Sequence, residues 1–104
     1  MPNLIRTDGD FRIALGQWFE NSEQCIVLYG HISDWLTRNV TNMSHAFEDM
    51  VDFNEDISRW NVSNVTDMSS MFWGATSFNQ PIGAWDTHNV TSMWNMFYEA
   101  GSFN

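Results

Sequence analysis

The apolar positions of this chain recur every twenty-five positions over most of its length. In the central repeat they form two groups separated by polar residues. The first group has offsets of 0, 3, 6, 7 and 10, which follow the helical period and predict a short helix. Its members are Val65, Met68, Met71, Phe72 and Ala75.

The second apolar group, from Phe78 to Trp85, is too short for a helix and predicts a short strand. The strand is expected at residues 82–85, paired in parallel with residues 56–60 and 32–35. We expect the core to hold Trp60, Phe72, Phe78 and Ile82, and solvent to reach Asn61, Ser70 and Thr76.

Whole columns of the sequence align when it is shifted by one period. Trp35, Trp60 and Trp85 form one column, and other columns contain Asn, Val, Thr, Met or Phe. A fixed period of this size is typical of stacked repeat units. One unit alone buries too few apolar side chains to offset the conformational entropy lost on ordering it. The units are therefore expected to stack.

Residues 1–30 do not follow the repeat, and we expect them to form an N-terminal cap. A helix is predicted from residue 11, because Phe11, Leu15 and Trp18 fall on one helical face. Asp8 or Asp10 is the expected N-cap of this helix. The segment that follows fits either a helix or a strand.

Residues 64–85 read N-V-T-D-M-S-S-M-F-W-G-A-T-S-F-N-Q-P-I-G-A-W. This stretch resembles the repeat of the BspA-like leucine-rich-repeat surface proteins, also known as the Mycoplasma-type 25-residue repeat of unknown function. The typical unit of that family is F-N-x-D-I-S-x-W-D-V-S-N-V-T-D-M-S-x-M-F-x-G-A. The resemblance extends over residues 29–104. It implies a leucine-rich-repeat fold, and says little about function because many members have no known one.

The pattern and the resemblance together predict an α/β fold. We expect a right-handed, leucine-rich-repeat-like solenoid of 25-residue repeats, with one short strand and one short helix per coil. Residues 1–30 are the N-terminal helical cap. Residues 31–104 hold three repeats, the last one incomplete.

The chain is strongly acidic, with thirteen Asp and Glu, four Arg and no Lys, and a formal net charge of −9. This balance argues against a nucleic-acid partner, whose phosphates require basic residues, and against anionic membrane surfaces. No stretch is apolar over the length of a membrane span, and the first residues do not resemble a signal peptide. The single cysteine, Cys25, excludes an intrachain disulfide and is expected in the core.

Two polar columns form the candidate interaction surface. The Asn column is interpreted as a ladder whose amides bond to the adjacent coil, or alternatively as a recognition surface. Its N-x-S/T triplets would be glycosylation acceptors in a eukaryotic secretory protein. The Thr column is interpreted as helix-capping, or alternatively as a flat row that matches an ordered surface such as ice. The two columns are Asn39, Asn64 and Asn89, and Thr41, Thr66 and Thr91.

No catalytic, cofactor or metal site is predicted. The three histidines lack metal-ligand spacing with one another or with the cysteine. A nucleophile elbow and a glycine-rich phosphate loop are both missing from the sequence. The acids between residues 49 and 56 are interpreted as a solvated turn rather than a calcium site.

The repeat pattern stops at Phe103 and Asn104, before the expected strand of the last unit. The strand at residues 82–85 would then carry unpaired backbone groups, and an open edge invites pairing with another chain. We therefore predict either a longer repeat array or a covering partner. The candidate assembly edge consists of Ile82, Trp85, Met93, Met96, Phe97 and Phe103.

Two functions are compatible with these observations. The first is a non-catalytic repeat module for protein binding or surface interaction, which rests on the resemblance and on the broad surface of stacked repeats. The second is a structural subunit that associates through its end faces, for example in a virion or a surface layer. A protein partner or self-association is expected in either case. The resemblance suggests a cell-surface or virion location.

Overall fold

The computed structural model of the protein describes residues 4–104, and its two α-helices lie within the cap segment. Helix α1 spans Asp8–Glu20 and helix α2 spans Ser22–Tyr29. The N-cap of α1 is Thr7, one residue before the expected acids, and its hydroxyl oxygen accepts from the Asp10 N–H at 3.0 Å. The side chain of Asn21 caps α2 in the same way. The segment that the sequence left open is therefore a helix.

Three stacked units follow the helices: unit 1 (residues 31–55), unit 2 (residues 56–80) and unit 3 (residues 81–104). Helix α1 covers the end of unit 1 that unit 2 does not touch. Its buried Phe11 ring lies edge-on to Trp35 at 6.5 Å, and Phe19 lies edge-on to Phe47 and Phe53, both at 6.0 Å. Such T-shaped contacts let an irregular end pack against a regular stack.

The predicted α/β solenoid of leucine-rich-repeat type is wrong, because the described residues 4–104 contain no strand. Their β-type pairings are two isolated parallel bridges, Asn42 with Asp67 and Asp67 with Ser92. Two of the predicted strands are single turns, in which the Trp N–H donates to the Ile C=O three residues earlier at 3.1 Å. The third, Ile32–Asp34, is a 3-10 turn.

The Trp side chain explains why no strand is needed at this place. The indole Nε1–H of Trp60 donates to the Ile32 C=O at 2.8 Å, and that of Trp85 donates to the Ile57 C=O at 3.1 Å. Neighbouring units are thus joined here by a side chain rather than by a backbone ladder. A turn is sufficient to place the indole N–H within reach of the Ile C=O of the unit before. An extended strand is needed only where backbone N–H groups make the hydrogen bonds between units.

The predicted helix at residues 65–75 is also absent. Overlapping turns replace it, with N–H groups of alternate residues donating three residues back, as from Met71 to Met68 at 3.2 Å. The other alternate N–H groups leave the unit and donate to the next one: Phe72 donates to the Met96 C=O at 2.9 Å. In an α-helix, by contrast, the backbone N–H groups would donate to carbonyl oxygens four residues earlier in the same segment. The apolar spacing fitted both structures, because successive turns also return side chains every three residues.

Each unit places two residues in the left-handed region, at the third position of these turns, where a type II turn requires positive φ. In unit 2 they are Ser70 (φ 55°) and Gly74 (φ 70°). Asp49 and Glu99 take the place of Gly74 in the neighbouring units, with φ of 60° and 59°. Gly74 therefore serves a turn.

The core is built from two columns of stacked phenylalanine rings. Phe47, Phe72 and Phe97 form one column with centroids 5.5 Å apart. Phe53, Phe78 and Phe103 form the other with centroids 5.9 Å apart. Rings of neighbouring units are parallel to within 10°. Two solvent-exposure expectations are wrong here: Ser70 is fully buried, and Ile82 is only half-buried.

Candidate functional site

The N-terminal end of the stack is closed by Asp8. Between units 1 and 2, the N–H of Thr66 donates to the Thr41 C=O at 2.8 Å. Among residues 4–104 no unit precedes unit 1, and the Asp8 carboxylate takes the place of that carbonyl. It accepts from the Thr41 N–H at 2.8 Å, from the Thr41 hydroxyl at 2.7 Å and from the Asn42 N–H at 3.3 Å. One carboxylate thus supplies the acceptor for the first member of the Thr row.

These hydrogen bonds also set the charge state of Asp8. Partial burial raises the pKa of the carboxyl, but the hydrogen bonds from Thr41 and Asn42 and the charge of Arg12 lower it further, so the pKa lies below its ordinary value of 3.8. Arg12 has a second contact, since its guanidinium donates to the Asn42 C=O at 3.3 Å. The equivalent carbonyl of unit 2, that of Asp67, accepts from Met43. At this end of the stack, Asp8 therefore accepts in place of a missing carbonyl group, and Arg12 donates in place of a missing N–H group.

Within residues 4–104, no segment covers the opposite face of unit 3. In unit 2, four alternate N–H groups donate to carbonyl oxygens of unit 3, at 2.8–3.0 Å; they belong to Met68, Ser70, Phe72 and Gly74. The equivalent N–H groups of unit 3 have no acceptor among residues 4–104; they belong to Met93, Asn95, Phe97 and Glu99. This row is a continuous set of free donors on one surface.

Side chains at the same face lose cover. Met93 is 45% exposed, whereas the equivalent Met68 is fully buried. Trp94 and Tyr98 are also exposed. The rings of Phe97 and Phe103 stack on unit 2 and on each other, and both are half-buried, whereas the equivalent Phe72 and Phe78 are fully buried. Of the predicted edge residues, Trp85 and Met96 are buried, Ile82, Phe97 and Phe103 are half-buried, and Met93 is exposed.

The row of free donors among the described residues differs from the predicted edge. The sequence placed the free backbone groups on a strand at residues 82–85. The structure places the free donors further along the unit, on the turns that replace the predicted helix. Asn95 and Glu99 belong to this face although the apolar pattern did not select them. Only their position in the repeat could have identified them, because they align with the residues of positive φ in units 1 and 2.

The Asn column makes the contacts that the ladder interpretation requires. The side-chain amide of Asn64 donates to the Arg38 C=O at 2.6 Å, and that of Asn89 donates to the Ser63 C=O at 2.7 Å. Both residues and Asn39 remain exposed. A recognition role for this column stays a prediction.

The Thr column is a row in which each member bonds to the member before it. The hydroxyls of Thr66 and Thr91 donate to the carbonyl oxygens of Thr41 and Thr66, both at 3.2 Å. No helix begins beside them, so the helix-capping interpretation is wrong. The three residues remain exposed, and the hydroxyl hydrogens of Thr66 and Thr91 are used within the stack.

A second Asn ladder was missed by sequence reasoning. The side-chain oxygen of Asn54 accepts from the Asn79 N–H at 2.8 Å, and that of Asn79 accepts from the Asn104 N–H at 3.2 Å. The alignment of these residues was visible in the sequence. Their role as acceptors for backbone amides depends on turn geometry that the sequence pattern does not encode.

Within the described range of the chain, no three His, Cys, Asp or Glu side chains converge as metal ligands would. None of the helices described has the length and apolar character to cross a bilayer. Cys25 is fully buried, its thiol facing the Ala14 C=O at 3.5 Å, and burial raises its pKa.

Residues 13–104 match the family described as Mycoplasma protein of unknown function, DUF285. The chain belongs to this family. The match covers most of α1, all of α2 and the three stacked units. No curated protein and no solved structure matches the chain. The DUF285 match agrees with the Mycoplasma-type repeat inferred from the sequence, whereas the leucine-rich-repeat assignment is overturned by the strandless units.

Proposed function

We propose that this DUF285 protein is a non-catalytic repeat module that binds a protein partner through the open face of unit 3. The observation that supports the proposal is the row of free N–H groups at Met93, Asn95, Phe97 and Glu99. A partner that presents backbone carbonyl oxygens at the same spacing would continue the hydrogen-bond row that joins units 2 and 3. This is the logic of strand addition, applied to turns.

The side chains around this row suit a protein interface. Phe97 and Phe103 are half-buried at this face, and Trp94 and Tyr98 are exposed beside them. Aromatic residues and Met are enriched in the buried centres of protein interfaces. Tyr and Trp also dominate binding hot spots. The face thus combines directional donors with apolar area.

The donor row also indicates what kind of partner fits. Two copies facing each other through this surface would bring N–H groups against N–H groups, and the opposite end of each copy is covered by α1. A segment that resembles a further repeat unit supplies carbonyl oxygens and phenyl rings together. The resemblance to BspA-like surface proteins supports a surface-interaction role. The alternative, a structural subunit that self-associates through its end faces, would have to pair this donor row with the end of unit 1 on which α1 packs.

The test is to titrate the protein with a synthetic peptide that copies residues 80–104. In the stack this sequence supplies the carbonyl oxygens that unit 2 uses, so it is a probe for the equivalent donors of unit 3. We expect chemical-shift changes at the amides of Met93, Asn95, Phe97 and Glu99, and saturation at micromolar to low millimolar peptide. The control peptide carries serine in place of the two phenylalanines that correspond to Phe97 and Phe103, and it is expected to bind at least tenfold more weakly.

Sedimentation of the protein alone separates the two hypotheses. We expect a monomer over the concentrations used for the titration. Concentration-dependent dimers whose formation is abolished by Phe97→Glu would favour the structural subunit instead. A peptide that leaves the four amides unshifted at millimolar concentration would contradict the proposed surface.

A further inference from the structure

A groove of about 700 Å³ lies between the cap segment and the first two units. Its apolar part comes from Ile5, Trp35 and two exposed leucines, Leu4 and Leu36. Three of the four arginines of the chain, and no acid, stand among its lining residues: Arg6, Arg38 and Arg59.

The positive charge of this groove contrasts with the rest of the molecule. The chain has a net charge of −9, yet most of its cationic groups share one cavity. Arg59 forms an ion pair with Asp34. Within residues 4–104, neither Arg6 nor Arg38 has a carboxylate at ion-pair distance. Two guanidinium groups are therefore available to an anion.

Unit 1 departs from the repeat at this groove. The residues equivalent to Leu36 are Asn61 and Asp86, and each accepts from the N–H two residues later, at 3.0 Å and 3.2 Å. Leu36 cannot accept such a bond, and it is 73% exposed. Arg38 stands where the other units have Ser63 and His88. A turn-stabilising residue has thus been replaced by an exposed apolar one, beside an added charge, so the substitution does not serve the stack.

We propose that this groove binds an acidic peptide segment that carries a bulky apolar side chain. The carboxylates of the peptide pair with Arg6 and Arg38, since guanidinium forms strong, often bidentate, hydrogen bonds with carboxylates. The apolar side chain packs on Leu36 and Trp35. The volume lies within the usual range for ligand pockets.

The apolar part of the groove favours a peptide over other anions. A sulfated polysaccharide or a nucleic acid would use the arginines, but it would leave Leu4 and Leu36 without a matching apolar group. The overall negative charge also repels a long polyanion. A short acidic peptide places its charge only where the arginines are.

The probe is a fluorescein-labelled peptide in which glutamates surround a single leucine, and its binding to the full chain is measured by anisotropy. We expect saturable binding that weakens as salt is raised. Leu36→Asn restores the residue type of unit 2. It should weaken binding several-fold and leave the thermal midpoint unchanged or higher, because the turn regains its side-chain acceptor.

A charge-conserving swap separates a specific site from general charge attraction. In the double variant Arg38→His with His88→Arg, the two equivalent positions of units 1 and 3 exchange side chains. The composition is unchanged and the arginine is moved out of the groove. We expect binding to fall at least tenfold, as expected for loss of a charge-assisted hydrogen bond.

Three results would overturn the proposal. They are no binding at millimolar peptide, equal binding by the swap variant, and binding by Leu36→Asn that equals that of the parent. In the last case, competition by a sulfated polysaccharide would identify the groove as a simple anion site.

Discussion

The two ends of this stack meet the same physical problem to different extents. At the N-terminal end, the Asp8 carboxylate replaces a missing carbonyl and Arg12 replaces a missing N–H. At the C-terminal end, four N–H groups of unit 3 have no acceptor among the described residues. The phenyl columns show the same difference, since Phe47 and Phe53, which Phe19 covers, are buried, whereas Phe97 and Phe103 are half-buried.

This difference shows where a repeat protein can place a binding surface. In unit 2, alternate backbone N–H groups of the turns donate to the next unit. The Asn and Thr columns on the side of the stack also use their side chains for hydrogen bonds between units. An end face alone holds backbone groups of one polarity in a regular row. Because the units are nearly identical, each feature of the open end has a matched partner inside the stack. The comparison can therefore be tested position by position.

The largest expected difference is between two phenylalanines of one column. Phe72 is fully buried and stacks on both Phe47 and Phe97, whereas Phe97 stacks on Phe72 and is half-buried. Phe72→Ala should lower the free energy of unfolding by about 3–5 kcal/mol. Phe97→Ala should lower it by about 1–2 kcal/mol, because less apolar area is buried there. Urea denaturation followed by Trp fluorescence gives both values.

The same experiment can contradict the comparison. If both variants lose equal stability, unit 3 is as well covered as unit 2 and its face is not open. A third variant, Phe47→Ala, gives the value for a ring covered by α1, and it should resemble Phe72→Ala more than Phe97→Ala.

A smaller effect is expected at the closed end. Asp8→Ala removes the acceptor for the Thr41 N–H and hydroxyl and should cost about 1 kcal/mol, since the site is partly exposed. Asp8→Asn keeps one acceptor oxygen and should cost less. Urea denaturation at pH 7 measures both variants.

The contribution of Asp8 depends on pH with a definite sign. Its pKa in the folded protein lies below the ordinary 3.8, so the folded state binds fewer protons than the unfolded state near that pH. The stability that the carboxylate contributes is therefore fully present above about pH 4, and it is lost as the pH falls through the folded pKa. The stability gap between the parent and Asp8→Asn should shrink as the pH falls below 4. A constant gap would show that the Asp8 charge does not contribute.

Particular residues show how far the sequence determined these features. The period identified the stacked units, and the position of α1 on the end of unit 1 followed from residues that break the period, such as Phe11. The pattern misassigned local structure because turns and helices both return side chains every three residues, as at Met68 and Met71. The indole bond of Trp60 has no counterpart in apolar periodicity, so a strand was predicted where a turn is sufficient.

The candidate site was located in part. The sequence predicted an open last unit and included Met93, Phe97 and Phe103. It did not predict the donor row, because that row depends on the left-handed φ of residues such as Asn95 and Glu99. Asp8 was expected to cap its own helix, and only the three-dimensional packing brings it to Thr41.

Hydrogen exchange of matched amides tests most directly the claim that the two ends differ. The amides to compare, in protein shown to be monomeric by sedimentation, are those at equivalent positions of unit 2 and unit 3. We predict protection at Met68, Ser70, Phe72 and Gly74, and exchange at least a hundredfold faster at Met93, Asn95, Phe97 and Glu99. Equal protection of the two rows in the monomer would contradict the account.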